Sequence, residues 1–375
     1  MNAASLLAGT ALAIAAIAPA SAAATVPHRD DDPHIAVRVD SAHHVVLVTV
    51  GPFDLTDMSG MADMDMDDMH DNPDKVFRFQ WPVDGYLRGF DVDVRDAAGR
   101  PVPREVLHHM IGVNFDRRQL VHDAVERLFG WGKETDPVTL PAGIGVPLEH
   151  GTHLGMYAMW HNTTGHDITG AYIHLKLLWI PNNKHPMEGL PLYIDVNNHI
   201  GGNTTFDVPP GHSTHAFTFE FPISGGIVGV GGHLHDYGTS VSLQDAESGK
   251  TLVTLKAKRD AKGHVEHVGR FIFGFNTEAL HVDAGHKYRL TAVYDNPTGK
   301  NIPDGGMGHI NGLFVPDDYA QWPKLDPNDP DIRKDVAGLQ DYSGDMGSEA
   351  DAHTGHDMRH MPGMKPDSTG PKRPR

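Results

Sequence analysis

The sequence predicts an all-β protein built from β-sandwiches or jelly rolls, and three observations lead there. Short β-branched and aromatic runs recur along the chain, each closed by a glycine or proline turn. The 41 glycines and 27 prolines suit many tight turns and disfavour long helices. Residues 215–221, His-Ala-Phe-Thr-Phe-Glu-Phe, alternate so that the aromatic rings share one face of a strand. At 375 residues the chain is long for one domain and predicts two.

Taken in order, residues 1–24 read as a secretory signal peptide. The apolar run 6–18 is followed by Ala20-Ser21-Ala22, a small-residue cleavage pattern. The run is shorter than the roughly 20 residues a membrane helix needs. The mature protein is therefore expected to be soluble, periplasmic or secreted, with no membrane span.

Strand signals follow at 35–50, 75–83, 86–95, 105–115, 153–161 and 171–180, while 117–129 reads as a short helix. The stretch 56–73 interrupts them. It carries Met58, Met61, Met64, Met66 and Met69 among aspartates, too charged for a core, and is expected to be an exposed loop. The proline- and asparagine-rich stretch 181–186 is the expected boundary between a first domain at 35–181 and a second at 187–318. The second half has strand signals at 227–235, 239–243, 251–257, 268–275, 287–293 and 308–315. Residues 319–375 are expected to form a polar, mostly disordered tail rich in methionine and histidine.

Composition narrows the chemistry. Cysteine is absent, whereas histidine reaches 27 and methionine 15. Disulfides, thiolate metal sites, iron–sulfur clusters and a lipidated cysteine are thus excluded. The net charge of -18 disfavours nucleic acid as a partner and favours cations.

Four short motifs carry candidate ligands. In Gly231-Gly232-His233-Leu234-His235 the two histidines are two apart, so on a strand they share a face. In His108-His109-Met110 the neighbours face opposite ways on a regular strand, and both reach one ion only where the strand bulges or ends. His161 closes a strand-like run in Met159-Trp160-His161. Met307 stands among glycines in Gly305-Gly306-Met307-Gly308-His309, which lets the backbone bring its thioether close to another element. His309, two residues on, shares that face and is an alternative to Met307. Imidazole suits copper, zinc, iron and nickel; a thioether narrows the choice toward Cu(I).

The order of these motifs resembles that of the copper type II, ascorbate-dependent monooxygenases, which include peptidylglycine alpha-hydroxylating monooxygenase and dopamine beta-monooxygenase. The resemblance runs over roughly residues 75–315: His-His-Met, a histidine near a strand end after Leu140-Pro141-Ala142-Gly143, His-x-His, then a late methionine. It implies two consecutive jelly-roll domains with one copper each. It implies His108, His109 and His161 as ligands of an electron-transfer copper, and His233, His235 and Met307 as ligands of an oxygen-activating copper. It also implies dioxygen, ascorbate or another one-electron reductant, and hydroxylation of a substrate C–H bond. Gly231 and Asn311 stand where the peptide-hydroxylating member has arginine and tyrosine, so the substrate is not carried over.

The alternative is a non-catalytic periplasmic copper-binding protein for storage, delivery or resistance, with a copper donor or acceptor protein as partner. The methionine loop with His70, and the tail with His353, His356, Met358, His360, Met361 and Met364, suit that role. A cupin-like enzyme is disfavoured, because Asp236-Tyr237-Gly238-Thr239 lacks the glutamate expected after His-x-His.

Overall fold

The computed structural model describes residues 33–59, 75–133, 135–197, 204–274 and 278–339. The signal segment, most of the methionine-rich loop and the histidine- and methionine-rich end of the tail lie outside them.

The first half contains β1 (His34–Asp40), β2 (Val45–Leu55), β3 (Phe77–Gln80), β4 (Gly85–Arg95), β5 (Leu107–Arg118), β6 (Val125–Gly132), β7 (Val138–Thr139), β8 (Ile144–Leu148), β9 (His153–Trp160), β10 (Ile168–Pro181) and β11 (Met187–Glu188). Seven of these form one sheet, ordered β1-β2-β10-β4-β8-β11 with β7 on β4, and the other four form a sheet ordered β3-β9-β5-β6. The strands of the core follow the period of two. On β2, Val46, Val48 and Val50 are fully buried and alternate with partly exposed neighbours; on β10, Ile173, Leu175 and Leu177 do the same work. They pack on Leu107, Met110 and Met156 of the opposing sheet. Each such side chain contributes about 1.5–3 kcal/mol by leaving water.

The second half contains β12 (Leu190–Asp195), β13 (Phe206–Val208), β14 (Gly211–Glu220), β15 (Gly225–Leu234), β16 (Gly238–Asp245), β17 (Thr251–Arg259), β18 (Val265–Val268), β19 (Arg270–Ile272), β20 (Leu280–Val282), β21 (Lys287–Asn296), β22 (Ile302–Gly306) and β23 (Gly308–Pro316). One sheet runs β12-β23-β15-β19 with β20 also on β15; the other runs β14-β21-β16-β17-β18; β13 and β22 form a short ribbon. Phe221, Leu290, Tyr294, Ile310 and Phe314 fill the space between them. The architecture is all-β, with the strands gathered into two sandwiches as expected.

Three expectations need correction. Residues 117–129 are not helical: β5 continues to Arg118, and the chain turns and returns as β6. Tertiary partners override local preference here. Arg117 bonds the buried Glu126 (2.8 Å), and Leu120 inserts into the core of the second sandwich. The domain boundary also falls later, because β11 pairs in parallel with β8 and so belongs to the first sandwich.

The third correction concerns the tail, whose described part is ordered. A turn of 3₁₀ helix at Tyr319–Gln321 leads to the helix Pro330–Gly338. Asp329 caps that helix through the amides of Asp331 and Ile332, and proline occupies its first turn. Ile332 and Leu339 pack on Val76, Val113 and Val125 of the first sandwich. Asp335, fully buried, takes both guanidinium nitrogens of Arg127 (2.6 and 2.7 Å) and the amide of Val125 (2.9 Å). The chain thus closes back on its first half. Both sandwiches belong to one compact unit.

Candidate metal centre

Two strands from each sandwich bring histidines to one place. At the start of β5 the register against β9 shifts between Leu107 and His109, so a bulge stands at His108. The shift turns both neighbouring rings to one side, with centroids 4.1 Å apart. His161 follows β9 directly and is held by its amide to the carbonyl of Val106 (2.8 Å); its ring lies 6.2 Å from that of His108.

From the second sandwich, His233 sits on β15 and His235 just past its end, 5.3 Å apart ring to ring. His309 on β23 is the cross-strand partner of His233, with centroids 4.8 Å apart. The two sets meet rather than face each other across a gap. His109 lies 4.8 Å from His233 and 5.8 Å from His235, and His108 lies 5.9 Å from His235. The ligand nitrogens of His108, His109 and His235 fall within 4.8 Å of one another. The two histidine sets read from the sequence thus lie side by side in one continuous cluster of His108, His109, His161, His233 and His235, with His309 joining the second set.

Electrostatics suit coordination. Desolvation pushes the pKa of His109 well below its ordinary value, and His108, His233, His235 and His309 around it further oppose a proton. His161 is also lowered, first by desolvation and then by Lys133. Neutral imidazole is the form that binds a metal, so little proton release is needed.

Supporting residues fix the rings. The fully buried Asp195 lies 3.7 Å from Nδ1 of His309. Its carboxylate accepts from the Tyr193 hydroxyl (2.8 Å) and the Asn197 amide (2.7 Å), and burial raises its pKa to about 6. The amide of Asp195 donates to Nε2 of His122, whose ring stacks on Phe217. At 3.7 Å the carboxylate is a close electrostatic neighbour of the His309 ring, beyond hydrogen-bond reach. Lys133 and Asp236 approach to 3.7 Å from opposite sandwiches, beside His161.

Tyr294, fully buried, ties His235 to Met307. Its hydroxyl accepts from the amides of His235 (3.2 Å) and Met307 (3.0 Å) and donates to the carbonyl of Met307. Tyr294→Phe leaves two part-buried amides and a carbonyl short of this partner. It is expected to lower stability by about 1–3 kcal/mol and to loosen the His235–Met307 spacing. Urea unfolding of the metal-free chain checks the first effect. An unchanged midpoint would contradict it.

Among known proteins, no family model matches the chain, and no curated protein matches it. Among solved structures it is similar to the major capsid protein P2 of Bacteriophage PM2, at 10% identity and TM-score 0.37 over 65% of this chain and 93% of that one. It is also similar to the STIV MCP, at 10% identity and TM-score 0.36 over 77% and 98%. Likeness this distant says nothing of what the chain does.

The sequence singled out His108, His109, His161, His233 and His235, and the fold gathers all of them. Met307 precedes β23, its backbone pinned by Tyr294. His309, the alternative to Met307, joins the cluster. Asp195, Tyr193 and Tyr294 were not legible, because each acts through a neighbour distant in sequence. The one available signal was that Asp195 closes an otherwise apolar strand, Leu190–Asp195.

Proposed function

We propose that this chain is an exported dicopper protein that oxidises a C–H bond of a small substrate with dioxygen and a one-electron reductant such as ascorbate. The observation that carries it is the convergence of five histidines, singled out by short motifs and their family-like order, onto one partly buried cluster at the junction of the sandwiches.

The donor set fits copper. It offers imidazoles, of which His109 is held neutral, and no thiolate; Met307, whose backbone shares the Tyr294 hydroxyl with His235, is the candidate thioether. His108, His109 and His161 would hold one ion; His233, His235 and Met307 would hold the other, with His309 beside them. Copper bound there would supply one-electron redox chemistry and reactivity toward dioxygen. The protein's own residues position the donors: the bulge at His108 sets its two rings side by side, and the Tyr294 hydroxyl spans the backbones of His235 and Met307.

A copper-storage or delivery role is the second reading, favoured by the methionine-rich loop and tail. Among the described residues no helix is long and apolar enough to cross a membrane. Ascorbate-driven oxygen uptake by the copper-loaded chain separates the two readings. Uptake that requires added copper and is lost in both His108→Ala and His233→Ala is the expected result. Tight copper binding without uptake under any reductant would favour storage or delivery.

A further inference from the structure

Met159 stands inside the first histidine set without a part in either ligand set. It lies on β9, two residues before His161 and directly opposite His109 on β5. Opposed residues of an antiparallel pair share a face, with Cβ atoms about 4.5–5.5 Å apart. Residues two apart on a strand share a face as well. The amide of His161 bonds the carbonyl of Val106 (2.8 Å), which prolongs the β9 ladder one step past Trp160 and carries the extended spacing through to His161. On the other flank of His109 the partner on β6 is Gly132, which has no side chain. Met159 is thus the one cross-strand side chain beside His109 in its row, and the next side chain along from His161.

The other apolar residues at this end of β9 have packing partners. Leu154 and Met156 lie in the core of the first sandwich, and Ala158 and Trp160 pack against it. Tyr157 packs on the cluster of Val76, Val113 and Val125. Met159 is only partly buried and joins none of the three apolar cores of the described residues. Core packing therefore does not account for a methionine here.

We infer that Met159 is a thioether donor to the ion that His108, His109 and His161 would hold, and that it makes this site selective for Cu(I). The inference rests on the copper reading and goes beyond it: the family resemblance implies imidazoles alone at this site, whereas here each ion would have one sulfur, Met159 for the first and Met307 for the second. Methionine has three rotatable bonds, so its sulfur can reach an ion held by the neighbouring rings. A soft thioether favours Cu(I), while Cu(II) and Zn(II) are served by imidazole. Sulfur at this site would raise the reduction potential of its copper.

The test uses the full chain, methyl-labelled at methionine and followed by NMR under anaerobic conditions. Met159→Leu keeps the side-chain volume and identifies the Met159 signal by its loss. Cu(I) is expected to shift that signal. Competition with a Cu(I) chelator should show one tight site weakened at least tenfold in Met159→Leu, with Zn(II) affinity changed less than threefold. If Cu(II) affinity is also unchanged, a tenfold loss lowers the potential by about 59 mV. A Met159 signal that ignores Cu(I), or Cu(I) affinity that survives Met159→Leu yet falls in His109→Ala, overturns the inference and leaves the copper reading standing. Equal losses of Cu(I) and Zn(II) in Met159→Leu would make Met159 a packing residue and overturn it too. Cu(I) affinity indifferent to both substitutions would overturn this inference and the copper reading together.

Discussion

His109→Ala is expected to reduce copper affinity by more than a hundredfold and to disturb both ions, whereas His161→Ala disturbs one. His109 stands in the middle of the cluster, within 4.1 Å of the His108 ring, 4.8 Å of His233 and 5.8 Å of His235. His161 is at its edge, approaching only His108 at 6.2 Å among the described ring contacts. Outer residues that merely orient a ligand cost about 10–100-fold in metal affinity, so loss of a central donor should exceed that. Competition titration with a Cu(I) chelator measures it. Equal, mild losses for the two variants would mean that the rings cluster without sharing metal.

The second large effect concerns stability. Asp335→Ala is expected to destabilise the chain by about 3–5 kcal/mol, because it strands the Arg127 guanidinium in a buried site. The Asp335 side chain is fully buried and that of Arg127 only 13% exposed, so solvent cannot replace the lost partner. The amide of Val125 loses its acceptor at the same time. The pair joins the helix Pro330–Gly338 to β6, the strand that also pairs with His109 through Gly132. Unfolding should therefore begin with release of the helix, followed by the histidine end of β5. Hydrogen exchange that stays slow at Ile332–Leu339 in Asp335→Ala, with an unchanged unfolding midpoint, would count against this account.

How much of this was legible in the sequence depends on whether the signal was local. Strands with a strict two-residue alternation were readable, as at Val46, Val48 and Val50, because one face must be apolar. His233 and His235 were readable for the same reason. The bulge at His108 could be stated as a condition, two adjacent histidines sharing a side, though not located in a register. What resisted reading was set by distant partners. The stretch after Arg117 looks helical until Asp335 and Glu126 are placed around it, since these charged residues belong to buried pairs and not to a solvated helix face. Residues 319–339 look like a polar tail because their apolar positions are few; Ile332 and Leu339 suffice only because Val76, Val113 and Val125 await them. The meeting of the two histidine sets depends on how the sandwiches dock, which no short motif encodes.

The most direct test of the central claim is copper stoichiometry, by metal analysis with EPR, on a chain lacking residues 1–24, 57–71 and 340–375. These deletions remove the methionine-rich loop and the outer tail but leave every clustered histidine and the helix Pro330–Gly338 in place. Two tightly bound copper ions, with His109→Ala disturbing both, is the result the account predicts. A folded chain that has lost its copper along with the trimmed segments would contradict it and assign the metal to the methionine-rich regions instead.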